Sequence, residues 1–372
     1  MKSNLHIIKK LSISLCLLVA SMSIYAETAT QDYKVSTVVD NLTFPWSIAF
    51  LPNKDMLVTE RGGSLRVVSG GKLLEQKISG LPNIYVDGPA GLFDVVLDPN
   101  FANNQTLYIS YSGGTASNNF VEVISARLQD MTLQQTKVIF TGSSRNTPHH
   151  HGARMAFLPD GTLLITAGDG FNFREEAQSL TSMLGKVLRI NPDGSIPKDN
   201  PFVGQKHARP EIYSYGHRNP QAVLISKANT VWLHEHGPKG GDELNIIKPG
   251  VNYGWPAITH GLDYSGALVS PFTKAKGMEQ PVTYWVPSIA PAGMTEYQGD
   301  IFPQWQGDLF VAALAAKSVR RLRLQDNKVV AQETMLAERK QRIRDIRTGP
   351  DGYIYILTDS EQGQLLKLSP NR

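Results

Sequence analysis

The chain has 372 residues, with 37 Lys and Arg against 33 Asp and Glu for a formal charge of +4, and a single cysteine. So even a balance gives no reason to expect a nucleic-acid or membrane-surface partner, and one thiol excludes an internal disulfide framework. A chain this long can supply its own core without such staples.

In chain order, Lys2, Lys9 and Lys10 precede an apolar run over residues 11–20 and the small-residue end Ser23-Ile24-Tyr25-Ala26. This is the layout of a secretory signal peptide, with cleavage expected after Ala26. Cys16 lies too early in the apolar run for a lipoprotein box. Removing residues 1–26 takes away three lysines, no acids and that cysteine, which leaves 34 basic against 33 acidic residues, a net +1. No later stretch is long and uncharged enough to span a bilayer, so the mature protein is expected to be soluble and periplasmic.

One pattern then recurs six times: a turn carrying Pro, Asp or Asn, a short β-rich strand, a second turn, and another alternating strand. The copies occupy residues 51–68, 97–128, 158–190, 225–247, 302–324 and 349–368. Six copies at blade-sized spacing predict an all-β fold, a six-bladed β-propeller of four-stranded antiparallel sheets. One repeat alone cannot bury its apolar faces, so residues 27–372 are expected to form a single domain. A β-sandwich with coincidental turns is the competing reading, and six in-phase copies weigh against it. At one end of a propeller channel the loops converge, so residues far apart in sequence meet around one pocket.

The unusual residues lie in just such loops. Pro148-His149-His150-His151-Gly152-Ala153-Arg154 leads into a strand, and Ala167-Gly168-Asp169-Gly170 follows one hairpin later. Together they gather imidazoles, a guanidinium and a carboxylate at the mouths of two neighbouring strands. In an extended segment His149 and His151 point one way and His150 the other, which disfavours a three-histidine metal site. A single imidazole held by Asp169 suits a general base, although a His-rich run on its own is more often a polar surface loop.

Tyr215-Gly216-His217-Arg218-Asn219-Pro220-Gln221 offers a donor fork and an amide suited to a carboxylate or enolate-like oxygen. In His234-Glu235-His236-Gly237-Pro238 and the following Asp242-Glu243, a tight turn exposes carbonyls of the kind a hard cation takes. Asp242 and Glu243 are equally readable as cap and solvent charges. Alternation in Arg342-Ile343-Arg344-Asp345 puts both arginines on one face, and Lys317 lies in a loop of the preceding repeat. Three cations aimed at one mouth imply a polyanionic small molecule, against the plain alternative of an outward Arg pair.

Taken together these motifs resemble the soluble quinoprotein sugar dehydrogenases, and within them the aldose sugar dehydrogenases. The resemblance runs from Phe44-Pro45-Trp46 to the last strand. It rests on His-x-x-x-Arg at 150–154, Gly-Lys-Val-Leu-Arg-Ile-Asn-Pro-Asp-Gly-Ser-Ile-Pro at 185–197, Gly-His-Arg-Asn-Pro-Gln at 216–221, Glu-x-Gly-Pro at 235–238, Asn-Tyr-Gly-Trp-Pro at 252–256 and Arg-x-Arg-Asp at 342–345.

The resemblance implies oxidation of an aldose at C1 to the lactone, with pyrroloquinoline quinone (PQQ) and calcium (Ca2+) as cofactors and an external electron acceptor. By position His150 is the general base, Asp169 orients it, and Arg218 faces the reacting quinone oxygen. His149, Asn219, Asp242, Ser288, Lys317, Arg342 and Arg344 fall at cofactor-contact positions. Gly237 and Pro238 offer carbonyls for the calcium, and Asp263 with Glu279 match a second, structural ion. The assembly expected is a monomer or homodimer.

Two positions depart from the pattern. Pro89 in Asp87-Gly88-Pro89-Ala90-Gly91 replaces a glutamine, and His236 stands where the glucose-oxidising branch has an amide. A cysteine pair of that branch is also missing. Two other readings compete: a calcium-dependent propeller lactonase acting through an activated water, and a propeller that binds cofactor or sugar without turnover.

Overall fold

A computed structural model describes residues 33–371, so the leader and Cys16 lie outside the described residues. The strands form six four-stranded sheets, and all the pairings within them are antiparallel. The fold is a six-bladed β-propeller. Its inner strands are Pro45–Phe50, Leu92–Leu97, Gly152–Phe157, Pro220–Ile225, Pro291–Glu296 and Ile343–Thr348, taken here as blades one to six. Each of them touches the inner strands of the blades before and after, which closes the ring.

The six sequence copies mark the second and third strands of each blade, and the reason is burial. Leu163–Ala167, Leu309–Ala313 and Ile354–Thr358 are buried at every residue because neighbouring blades cover both faces. Such strands read as unbroken apolar runs rather than alternating ones. Outer strands alternate instead, as the mixed burial of Tyr33–Leu42 shows. That strand, first among the described residues, pairs with Gly363–Pro370 and becomes the outermost strand of blade six. Blades five and six then share an aromatic core in which Phe302 and Trp305 stack at 4.0 Å beside Tyr33, Tyr297 and Phe310.

At the channel axis the inner strands trade apolar packing for charge. The buried Arg154 guanidinium lies 3.2 Å from Asp345 and 3.5 Å from Asp94, donates to the Gln221 carbonyl at 2.9 Å, and stacks 3.9 Å over the Trp46 ring. Arg347 pairs with the same two carboxylates at 3.1 and 3.6 Å. Asp94 accepts the Met155 amide at 3.0 Å and Asp345 the Ile48 amide at 3.1 Å. On blade five, Gly293 lets the backbone pass so close to Asp345 that a Cβ there collides with the carboxylate. All six blades therefore meet this one network. The sequence reading put the Arg154 guanidinium at a strand mouth; the structure corrects this to the channel interior, because the side chain turns inward from its strand.

Replacing one partner of a buried ion network leaves charge uncompensated, at a cost of about 3–5 kcal/mol. Arg154→Met is expected to lower the unfolding free energy of the mature chain by about that amount in urea titration. A loss below ~1 kcal/mol would mean that Arg347 alone satisfies both carboxylates.

Candidate active site at one mouth of the channel

The starts of the inner strands and the ends of the second strands open at the same mouth, and nearly every residue singled out from the sequence lies there. His150 sits just before Gly152–Phe157 with a positive φ of 55°. The three histidines are thus not an extended run, which corrects the expected alternation. His151 is buried, with Nε2 3.1 Å from Asn119 Oδ1 and its ring 5.3 Å from Phe93. His149 is exposed, its ring 5.3 Å from Phe171. His150 alone turns toward Asp169.

Two features fix that turn. Arg145 donates to the His150 carbonyl at 2.7 Å, and Gly168 lies so close to it that a Cβ collides with that oxygen. His150 Nδ1 is 2.7 Å from Asp169 Oδ1. The Asp169 carboxylate also accepts the Phe171 amide at 2.8 Å and the Trp255 indole N–H at 2.8 Å. Burial opposes its charge, but His150 and Arg218 outweigh burial and hold Asp169 below the usual carboxylate range. An ionised Asp169 only accepts hydrogen bonds, so Nδ1 carries the proton and Nε2 keeps its lone pair. For His150 itself burial dominates over the pull of Asp169 and lowers its pKa below the ordinary value of 6.5.

Arg218 follows His217, and Glu235 holds both: one carboxylate oxygen accepts His217 Nδ1–H at 2.8 Å and the other accepts the Arg218 amide. Arg218 Nη1 donates to the Gly237 carbonyl at 2.7 Å and to the His236 carbonyl at 3.2 Å, while Nη2 is 3.5 Å from the Tyr264 hydroxyl. His236 Nε2 donates to the Pro291 carbonyl at 2.7 Å, which leaves Nδ1 to accept from Asn219 at 3.4 Å. Asn219 in turn accepts from Gln221 at 3.0 Å, so its amide is oriented from both ends.

Asp242 is buried rather than solvated. It accepts the amides of Gly237, Ile289 and Ala290 at 2.8–2.9 Å and the Ser288 hydroxyl at 2.7 Å. The two residues therefore face each other, tying the Gly237 turn to the 287–290 loop. Glu243 lies opposite Glu235 in the strand register, in a tight cleft shared with Arg218, Gly237, Tyr253 and Trp255. Burial, reinforced by Glu235, pushes Glu243 up to about 8. A cation lodged between the two carboxylates would reverse that shift.

Across the mouth, Arg342 Nε is 2.9 Å and Arg344 Nη2 3.4 Å from the two oxygens of Asp359. Burial opposes the charge of Asp359, yet Arg344, Arg342 and Arg61 together hold it below the usual range. Neither Asp359 nor Arg61, whose guanidinium lies 4.3 Å over the Phe44 ring, was read from the sequence. Lys317 is exposed in the turn between Leu309–Ala313 and Ser318–Gln325.

Asp263 and Glu279 are partly exposed and each faces a cation, Asp263 at 3.9 Å from Arg174 and Glu279 at 3.0 Å from Lys248. Among the described residues no three His, Cys, Asp or Glu side chains cluster as a metal site. Pro89 is exposed beside the turn in which the Ala90 amide donates to the Asp87 carbonyl at 2.8 Å. Among the described residues no helix is long and apolar enough to cross a membrane.

Three buried guanidinium donors at this mouth have no hydrogen-bond partner among the described residues: Arg145 Nε, Arg218 Nε and Arg344 Nε. Unused guanidinium N–H groups beside the carbonyls of a Gly-Pro turn fit an anionic ligand with a hard cation at its edge.

Known proteins share this fold. The family model described as glucose/sorbosone dehydrogenase matches residues 42–367. The aldose sugar dehydrogenase YliI of Escherichia coli is 44% identical over 363 residues, covering 95% of this chain and 97% of that protein. The apo-form crystal structure of the soluble aldose sugar dehydrogenase from Escherichia coli superposes with a TM-score of 0.88 at 44% identity, over 91% of this chain and 100% of that one. The PQQ-bound aldose sugar dehydrogenase of Streptomyces coelicolor gives a TM-score of 0.74 at 26% identity, over 91% and 98% of the two chains. The chain belongs to the glucose/sorbosone dehydrogenase family.

Proposed function

We propose that the protein is a PQQ- and calcium-dependent dehydrogenase that oxidises aldoses at C1 to the lactone in the periplasm, and passes the electrons to an external acceptor. The observation that carries this reading is the Asp169-held His150, with a free Nε2 lone pair, facing a wall whose buried guanidinium groups have N–H donors to spare. The PQQ-bound relative supports the choice of cofactor.

His150 Nε2 takes the proton of the anomeric hydroxyl, and Asp169 keeps the imidazole in the tautomer that can accept it and stabilises the imidazolium that forms. Bound PQQ supplies the two-electron acceptor for the hydride that leaves C1. Arg218, already fixed through Glu235 and the Gly237 carbonyl, presents its spare Nε–H to an anionic oxygen at the mouth. Arg342, Arg344 and Lys317 would hold cofactor carboxylates, with His149, Asn219 and Ser288 as further contacts. Asp242 acts through the loops that it joins. The carbonyls of Gly237 and Pro238 are the hard oxygens for calcium. A second ion at Asp263 and Glu279 would compete with Arg174, 3.9 Å from Asp263, and Lys248, 3.0 Å from Glu279.

Dye-linked oxidation of an aldose panel by the mature protein is expected to need both PQQ and calcium. It should fall about 10²–10⁴-fold in His150→Ala while PQQ still binds in a fluorescence titration. Turnover without PQQ, or an unimpaired His150→Ala, overturns the assignment. Asp169→Asn loses the ionised acceptor and is expected to lower kcat by about 10⁴.

The pH profile carries a sign. Because the His150 pKa is lowered, the base stays neutral as pH falls through 6.5, and activity is lost only when pH falls through the lowered pKa. The acid limb of kcat/KM should therefore lie below 6.5; a limb above that value would place the essential base elsewhere.

Arg344→Ala removes a buried cation and its unused N–H, and should weaken PQQ binding by about 10- to 100-fold. Calorimetric titration of the apoprotein checks this without turnover.

A further inference from the structure

Arg145 is a buried cation that the mechanism leaves without a task. Its backbone is pinned to blade two, where the Arg145 amide donates to the Asn119 carbonyl at 2.8 Å and the Asn119 amide to the Arg145 carbonyl at 2.9 Å. Its side chain crosses to the His150 turn of blade three, with its stem against Gly170, where an added Cβ would come within 3.4 Å. The residue is 3% exposed. Nη1 donates to the His150 carbonyl at 2.7 Å, while Nε has no hydrogen-bond partner among the described residues. Burying a guanidinium on so few contacts is unfavourable, and burial pushes its pKa down to about 10 against the pull of Asp169. An apolar side chain of similar length would fill the same space without desolvating a charge, so packing does not account for the cation.

We propose that Arg145 is a positioning residue for the base: it fixes the His150 main chain through the carbonyl bond, and its charge, acting through Asp169, keeps the carboxylate ionised and the imidazole neutral. The inference rests on the dehydrogenase reading, in which His150 takes a proton, and deepens it. His150 stands at a φ of 55°, a region uncommon for a residue with a side chain, and a charge-assisted bond to its carbonyl holds it there. The charged and titratable groups facing its ring are Asp169 from the end of the second strand, Arg218 from blade four and His149 on its own loop. Asp169 in turn is faced by His150, by Arg218 and, from the loop before the histidines, by Arg145. A carboxylate paired with an imidazole alone favours the imidazolium; a further cation beside that carboxylate weakens the pull. Arg218 is committed to the Gly237 carbonyl and to the mouth, where a bound anion would offset its charge. Arg145 is too buried for solvent to screen it, so its share persists when the site is filled. The same field reaches the neighbouring ring: burial first, then Arg145, holds His151 well below 6.5, as a neutral partner for Asn119.

The test is a pH titration of the histidine rings of the mature protein by proton–nitrogen correlation NMR, with the His150 signals assigned by their loss in His150→Gln. It is run on the wild type and on Arg145→Met, Arg145→Gln and Arg145→Lys. The His150 pKa is expected to rise by about one unit in Arg145→Met and Arg145→Gln and to stay at the wild-type value in Arg145→Lys. Glutamine can still donate to the His150 carbonyl, so it separates the charge from the bond. In the dye assay the acid limb of kcat/KM should move up with the pKa, because a base with a higher pKa is already protonated at a higher pH as pH falls. Arg145→Met, which loses the bond as well, should also lower the plateau kcat about 10-fold. A purely structural arginine would lower the urea midpoint and leave the His150 pKa where it is, and that result overturns the proposal. So does a rise in Arg145→Lys equal to that in Arg145→Met, and so does weaker PQQ binding with an unmoved His150 pKa, which would make Arg145 a ligand contact. If no sugar is oxidised by any of the four proteins yet the His150 pKa moves as expected, the dehydrogenase reading fails and the coupling stands.

Discussion

The fold depends on keeping a buried charge network neutral where six blades meet. Two buried carboxylates, Asp94 and Asp345, face two guanidiniums, the buried Arg154 and the partly exposed Arg347. Desolvation makes any unmatched member costly, so the network specifies how far each inner strand comes forward. Backbone amides of Ile48 and Met155 and the carbonyl of Gln221 add hydrogen bonds to it. Rigidity of the mouth follows, because each functional loop hangs from an inner strand registered against this axis.

The mouth repeats one device. A carboxylate at or just beyond the end of a second strand captures a group that would otherwise swing: Glu60 the Thr43 amide in blade one, Asp169 the His150 ring in blade three, Glu235 the His217 ring and Arg218 amide in blade four, and Asp359 the two arginines in blade six. Asp242 does the same for the Gly237 turn from a third strand. The His150 ring, the Arg218 fork and the Gly237 turn are therefore positioned by groups that need not touch a ligand, as a preorganised site requires.

The sequence disclosed these parts unevenly. Second strands announced themselves because full burial makes them unbroken apolar runs, third strands because they alternate, and the recurring pair gave the blade number. Inner strands stayed silent, since Ser47, Asp94, Arg154, Gln221 and Asp345 interrupt their apolar character for the sake of the axis. Closure by Tyr33–Leu42 was also missed: an outer strand half open to solvent has no strong pattern, and its partner lies at the far end of the chain. In the site, Asp169 and Arg218 stood out by residue type, while His150 was singled out among three histidines only by the resemblance; the structure puts the His150 ring 2.7 Å from Asp169. Trp255, which holds the second Asp169 oxygen across 86 residues, left no local trace. Asp359 did leave one, because Thr358-Asp359-Ser360 ends its strand just where Ala167-Gly168-Asp169 ends another. Asp242 was open to a reading as a solvent charge because sequence does not reveal which carboxylate a neighbouring loop will cover.

Along the inner strand of blade six the chain shows how structural and ligand-seeking charge differ. Asp345 and Arg347 point into the channel and belong to a network of two cations and two anions, whose charges balance. One step toward the mouth, Arg342 and Arg344 share the single carboxylate of Asp359, and Arg61 adds a third cation to the same field. Here the charge is under-compensated, and the buried Arg344 keeps an N–H with no acceptor. Burying that excess is unfavourable by itself, so it weighs against stability in the free protein and is offset only when an anion arrives. The channel network accounts for a stable propeller. The deficit beside it leaves the mouth with a cationic field that no carboxylate of the chain balances.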